Sequence, residues 1–336
     1  MLSNHYPGGR RAPEPAMPLL ARRCAQSFIG VRRVVAYRSH RHSILVSLAS
    51  VRGEDDIAGA ARAPNRPPLT LGATANIAHR GASGHAPEHT VAAFDIAIEL
   101  GAEYLEFDVQ LTSDGVPVVF HDLISSRTLR GIDRHGVISE MTFEQLRQAD
   151  AGAWFNEGAV GGSRRFEGER VLTLSEVLER YRHLARFAIE LKSRDDARSG
   201  IEWKVLRTLA DHRLLGDGGR VVLMSLSAVS PARLHSLAPA IDLVQLFYEH
   251  ETANEMLGRL HHVRRYAGRI GPHHTQVTEE LVHAAHSEGM GVWTWAVNEV
   301  ADMERLLAAG VDGIVTDFPD RLSSILEARR TSLREV

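Results

Sequence analysis

Eight short strand-like runs recur along this chain, at residues 76–79, 104–110, 187–192, 221–226, 242–248, 269–272, 291–297 and 313–316. Helix-period segments separate most of them, for example residues 90–100, 174–183, 278–288 and 299–309. Strands alternating with helices require a parallel sheet covered by helices, and eight such repeats over about 250 residues predict a closed (β/α)8 TIM-type barrel. With 336 residues, 44% of them hydrophobic, the chain can bury such a core. Two segments depart from the repeat. Residues 117–121 read as the return limb of a hairpin, and residues 122–170 form an excursion with turn signals at Gly131, Gly136 and Gly161-Gly162 and one helical piece near residues 142–149. The predicted architecture is thus a barrel over residues 76–325 with a small insertion after the second strand's hairpin, and a C-terminal tail at residues 326–336.

Residues 1–75 are a different material. Up to Gly53 they hold nine arginines and a single acid, Glu14, and then become Pro- and Ala-rich. They read as a poorly ordered, Arg-rich leader. The apolar run at residues 43–51 sits too far in and lacks a cleavage site for export, and His40 and His42 have no barrel strand around them. No apolar run is long enough to span a bilayer. One cysteine, Cys24, agrees with a reducing, cytoplasmic location, and a net charge of −3 gives no general attraction to nucleic acid.

The chemistry concentrates between Ile77 and Asp122. Residues 104–111 alternate as a strand does, so Glu106 and Asp108 share one face. Two carboxylates on one buried face repel unless a cation lies between them, which makes the pair half of a hard-metal site; a solvated strand face is the plainer alternative. Asp114-Gly115 between two alternating runs signals a two-residue hairpin turn, which sets His121 directly across from Asp108 with Cβ atoms about 5 Å apart. Upstream, a strand ending in His79-Arg80-Gly81 offers an imidazole and the forked donors of a guanidinium to one phosphate, and Gly81 lets the chain turn sharply. Downstream, Glu190 and Lys192 share a strand face. They can form an internal ion pair, yet the 39 basic residues include only two lysines, Lys192 and Lys204, so lysine here suggests a need for a compact point charge. Trp293 and Trp295 alternate and point one way.

Taken in order, HRG (79–81), PExT (87–90), ExD (106–108), TxDG (112–115), HD (121–122), ExK (190–192), VWTWAVN (292–298) and GIVTDFPD (313–320) resemble the glycerophosphodiester phosphodiesterase family over most of the chain. The resemblance implies that His79 and His121 are the general acid/base pair. It implies that Glu106, Asp108 and Glu190 ligate one divalent cation, Ca2+ or Mg2+, that Arg80 and Lys192 contact the phosphate, and that Glu88 supports the ligands. It also favours Trp295 as a surface for the glycerol backbone, perhaps the one apolar contact needed there, with Asn298 assisting, and an insertion that shapes the entrance. His89 stands where the family usually has Asn, and Leu226 where it has an aromatic.

The expected function is metal-dependent hydrolysis of a small-molecule glycerophosphodiester to glycerol 3-phosphate and an alcohol, with no nucleic-acid partner and no stable membrane insertion. A lysophospholipase D or sphingomyelinase-like activity on lipids would use the same residues and is the alternative; it calls for an exposed apolar rim at the mouth. Trp154 and Phe155 are read as packed aromatics anchoring the insertion, Asp317 as a brace for the final loop, His261, His262, His283 and His286 as solvated, and His273 and His274 as candidates for the pocket lining.

Overall fold

A computed structural model of the chain describes residues 74–132, 136–157, 166–192, 200–215 and 219–334. The Arg-rich leader up to Ala73, Cys24 and the His40/His42 pair lie outside the described residues. Eight parallel strands close into a barrel: β1 (Ala75–Ala78), β2 (Tyr104–Leu111), β5 (Arg186–Leu191), β6 (Val221–Ser225), β7 (Asp242–Leu246), β8 (Arg269–Gly271), β9 (Gly291–Thr294) and β10 (Gly313–Thr316). The ring closes because β1 pairs with β10 on one side, Ala75 opposite Gly313, and with β2 on the other, Ile77 opposite Tyr104. Every expected barrel strand is present, including the short β8.

Two apolar layers hold the ring. Inside, Ile77, Tyr104, Ala188, Met224, Val244 and Trp293 belong to one packed cluster. Outside, the alternate residues of the strands, such as Leu105, Phe107, Phe187 and Ile189, pack under the helices. Each strand residue's face follows from the two-residue period. The helices are α1 (Val91–Glu99), α3 (Leu174–Tyr181), α4 (Ile201–Asp211), α5 (Ser230–Leu237), α6 (Ala253–Val263), α7 (Glu279–Ser287), α8 (Val300–Ala309) and α9 (Pro319–Arg334), with a short α2 (Phe143–Arg147) in the insertion. Threonine hydroxyls cap the first turns of α1, α2, α3, α6 and α7, each cap contributing about 1 kcal/mol. The helix α9 runs through the boundary drawn at residue 325 to Arg334.

The hairpin after β2 differs from the two-residue turn expected of it. Its return strand β3 (Pro117–Val119) pairs Val109 with Val119 and Leu111 with Pro117. The Gly115 amide donates to the Thr112 carbonyl and the Thr112 amide to the Val116 carbonyl, so the loop holds three residues. Gly115 takes the left-handed conformation at φ +74 while Asp114 does not. Asp114 is instead held by the Thr112 hydroxyl at 2.6 Å, which favours a turn followed by a left-handed glycine over the tighter two-residue form. The register therefore shifts by one, and Phe120, not His121, lies across from Asp108, its amide donating to the Asp108 carbonyl.

β3 then pairs with β4 (Leu172–Thr173), and the insertion between them builds a small core from Val118, Phe120, Leu129, Ile138, Leu146 and Val171. Phe155 packs with Phe166 against the Ala93 side of α1, and the Trp154 indole N–H donates to the Ala151 carbonyl. Both aromatics thus act as packing.

Gly81 follows β1 at φ +84, and a Cβ there would lie 2.8 Å from the Ala93 backbone and side chain. Gly81→Ala adds left-handed strain to overpacking and is expected to cost about 2–4 kcal/mol. A melt followed by circular dichroism should show Tm lowered by about 4 °C or more; an unchanged Tm would mean that the β1–α1 loop yields freely.

Candidate active site

The inward residues change character along each strand. The series runs Ala75, Ile77, His79 on β1; Tyr104, Glu106, Asp108 on β2; Ala188, Glu190, Lys192 on β5; Trp293, Trp295 on β9; and Val315, Asp317 on β10. Apolar members fill the barrel, and polar ones follow at its C-terminal mouth.

Glu106, Asp108 and Glu190 meet there. Each offers a carboxylate oxygen within 4.8 Å of the others, and the parallel register sets Asp108 beside Glu190. Burial and the neighbouring Asp108 charge push the Glu106 carboxyl well up, and burial raises Glu190 as well. Asp108 is held well down although burial opposes it, because the Lys192 ammonium lies 2.8 Å from Oδ1. Its other oxygen, Oδ2, is buried without a hydrogen-bond partner. Three converging carboxylates, one with an unpartnered buried oxygen, form an all-oxygen donor set that fits a hard divalent cation.

Cationic groups ring the trio. Lys192 also pairs with Glu190 at 2.7 Å, so the internal ion pair open in the sequence is present, extended to Asp108. The Arg80 amide donates to Glu106 Oε2 at 2.8 Å, and its guanidinium donates to Glu88 Oε1 at 2.9 Å and to His79 Nε2 at 3.2 Å. His79 Nδ1 lies 2.6 Å from Asp317 Oδ1, and Asp317 also accepts from Ser83 and Asn298. His121 Nδ1 lies 2.7 Å from Asp122 Oδ1. Each imidazole therefore has an aspartate on Nδ1.

Most residues expected here assemble: His79, Arg80, Glu88, Glu106, Asp108, Glu190 and Lys192 form one connected set. His121 arrives differently from the expectation. It follows the end of β3 instead of facing Asp108, yet stands close enough to Glu190 for its charge to be felt there. Trp295 closes the inner cluster with its indole N–H on the Gly271 carbonyl at 2.9 Å and His273 edge-on at 5.1 Å. Asn298 does not reach toward Trp295; its amide braces Asp317. His286 is not solvated but paired with Asp312 at 2.9 Å.

Sequence reasoning passed over four contributors. Asp317 follows inward Val315 by one period, a signal sufficient to find it. Asp122 is adjacent to His121. His89, treated as affecting only Glu88, accepts the Asp108 amide N–H on Nε2 at 3.2 Å and is buried. Arg127 had no signal at all: it donates to Glu88 at 2.6 and 2.7 Å and to Asp122 at 2.7 and 3.1 Å.

The profile of the "Glycerophosphoryl diester phosphodiesterase family" matches residues 79–321. The glycerophosphodiester phosphodiesterase of Bacillus subtilis (strain 168) is 37% identical over 248 residues, 73% of this chain and 83% of that protein. The crystal structure of a glycerophosphodiester phosphodiesterase from Agrobacterium tumefaciens superposes with TM-score 0.61 at 29% identity, covering 75% of this chain and 99% of that one. An Oleispira antarctica phosphodiesterase in complex with the product sn-glycerol-3-phosphate gives TM-score 0.65 at 26% identity, covering 76% and 97%.

Burial pushes the Glu88 carboxyl up, but the Arg127 and Arg80 guanidinium groups outweigh it and hold the acid at about 2, below the ordinary 4.5. Because the folded value is depressed, this stabilisation is full above about pH 4.5 and is lost as pH falls toward 2, and it amounts to about 3 kcal/mol. In urea melts Glu88→Gln should be destabilised by about that much at pH 7 and approach the wild type near pH 3. A deficit independent of pH would contradict this origin.

Proposed function

Belonging to the glycerophosphoryl diester phosphodiesterase family, the chain is a phosphodiesterase acting on glycerophosphodiesters, and we propose that it does so by metal-dependent, two-histidine catalysis at the mouth just described. The observation that carries this reading is the pair of imidazoles, each held on Nδ1 by an aspartate, 2.6 Å for His79 and 2.7 Å for His121, beside three converging carboxylates. Glu106, Asp108 and Glu190 would hold the ion, Ca2+ or Mg2+. Bound there, it supplies Lewis-acid polarisation of phosphate oxygens and neutralises developing charge.

The chain's own residues do the rest. Arg80 and Lys192 present fixed positive charge to the phosphate. An aspartate on Nδ1 orients each ring and supports its charged form, leaving Nε2 for proton transfer. One histidine removes the proton from the nucleophile, water or the neighbouring glycerol hydroxyl, as its oxygen bonds to phosphorus. The other gives a proton to the departing alkoxide as the P–O bond breaks. The Nε2 of His79 accepts from Arg80, which fits a lone pair ready to take a proton. Trp295 would pack on the glycerol backbone. The product complex of the Oleispira antarctica protein supports glycerol 3-phosphate as the product here.

A second reading, activity on lysolipids, is favoured by one observation: Leu123 and Ile124, directly after the His121-Asp122 pair, are 58% and 42% exposed. Among the described residues no helix is long and apolar enough to cross a membrane.

With glycerophosphocholine, release of glycerol 3-phosphate should require Ca2+ or Mg2+ and cease in EDTA, and His79→Ala or His121→Ala should each lower kcat by about 10²-fold or more. Full activity in His121→Ala rejects the two-histidine scheme, and activity untouched by EDTA rejects the metal. A higher kcat/KM on lysophosphatidylcholine than on glycerophosphocholine would decide for the lipid reading.

A further inference from the structure

Arg127 lies in the insertion, outside the barrel repeat, and its guanidinium joins two acids from separate parts of the mouth. Glu88, in the β1–α1 loop, receives Nη1 and Nη2 at 2.6 and 2.7 Å; Asp122, after β3, receives Nε and Nη2 at 2.7 and 3.1 Å. Beyond Glu88 stands Arg80, and beyond Asp122 stands His121. One unbroken series of charge-assisted bonds thus runs from Arg80 through Glu88, Arg127 and Asp122 to His121.

We propose that Arg127 is a positioning residue that fixes the His121 imidazole relative to the His79-Arg80 side of the mouth, and that the insertion serves as the rigid support for this clamp. The proposal deepens the two-histidine reading and rests on it.

Three observations carry it. First, His121 is not set by sheet pairing: the ladder ends at Val119, and the last backbone link to β2 is the Phe120 amide. Its ring position must come from side-chain bonds, and Asp122 is the acid on its Nδ1. Second, Asp122 is itself gripped from the insertion. The turn that carries Arg127 is pinned on both sides by bridges, Ile124 to Val137 and Arg130 to Asp150, while Leu129 is buried in the insertion's own core. Third, the geometry suits arginine alone. A planar fork can bond two carboxylates in pairs, whereas an ammonium is a single point charge. Exposed ion pairs contribute little to stability, and Arg127 is 42% exposed. The clamp's expected effect is therefore on geometry, where misplacing a reacting group by about 1 Å can cost about 10²-fold in rate.

The test is steady-state kinetics of Arg127→Ala and Arg127→Lys in the full chain on glycerophosphocholine with Ca2+ or Mg2+, beside wild type and His121→Ala. Arg127→Ala should lose about 30- to 100-fold in kcat with KM within about 3-fold and little change in Tm. Arg127→Lys should recover only a small part, and millimolar methylguanidinium should raise the activity of Arg127→Ala but not of His121→Ala. A merely structural role predicts a fall in Tm without rescue, and that result overturns the proposal; so does a kcat within about 3-fold of wild type. If Arg127→Ala does not fold, the folded Arg127→Lys decides, since wild-type kcat there rejects a need for the fork. An inactive wild type, or a fully active His121→Ala, would instead refute the catalytic reading beneath the proposal.

Discussion

Like charge at close quarters is the constraint around which the mouth is organised. Glu106, Asp108 and Glu190 bring carboxylate oxygens within 4.8 Å of one another where water is scarce, an arrangement that costs free energy unless positive charge is near. The surrounding contacts answer this cost. Lys192 pairs with two of the acids, the Arg80 amide serves the third, and Arg80 in turn is held by Glu88. The compensation is incomplete at Asp108 Oδ2. A set of acids kept together by neighbours yet left with a bare buried oxygen is a receptor for a cation, and the fold maintains it in advance.

The barrel supplies that arrangement through the two-residue period of its strands. A residue two positions beyond an inward apolar side chain is inward too, so Ile77 leads to His79, Ala188 to Glu190 and Val315 to Asp317. Parallel register then aligns strand ends at one mouth. The same rule that fills the core with Ile77, Ala188 and Trp293 delivers the polar groups one step higher. This is why the barrel, the acidic trio and the His79-Arg80 pair were legible in the sequence: each depends on local alternation and needs no knowledge of distant contacts.

What was not legible depends on events outside that period. The hairpin register turned on whether Asp114 would adopt positive φ, and the Thr112 hydroxyl decided against it. One residue of slip reverses every side chain on a return strand, so the sequence argument reached His121 by a route the protein does not take. Helix α1 begins at Val91, not near Pro87-Glu88, because Thr90 is the residue that caps it, and this leaves Glu88 free in a loop to meet two arginines. Arg127 belongs to a turn whose position is set by the insertion's own core, beyond the reach of any periodicity.

The β1–α1 loop shows how strain serves the same end. Arg80 at φ 55 and His89 at φ 61 are two of the three non-glycine residues in the left-handed region among the described residues. Such a conformation costs roughly 1–3 kcal/mol each and persists only where surrounding contacts over-determine it. Here they do. The His89 amide bonds back to the Arg80 carbonyl at 3.0 Å, closing the loop. The left-handed turn at Arg80 aims its amide at Glu106, and the one at His89 accompanies a buried ring whose Nε2 accepts from the Asp108 amide. Two strained residues thus each hold one member of a pair of acids that would otherwise repel, so the backbone cost is spent on keeping the carboxylates converged. Histidine at position 89 retains the acceptor that an asparagine carbonyl would offer there, which is how the chain departs from the family's usual residue without giving up the bond to Asp108.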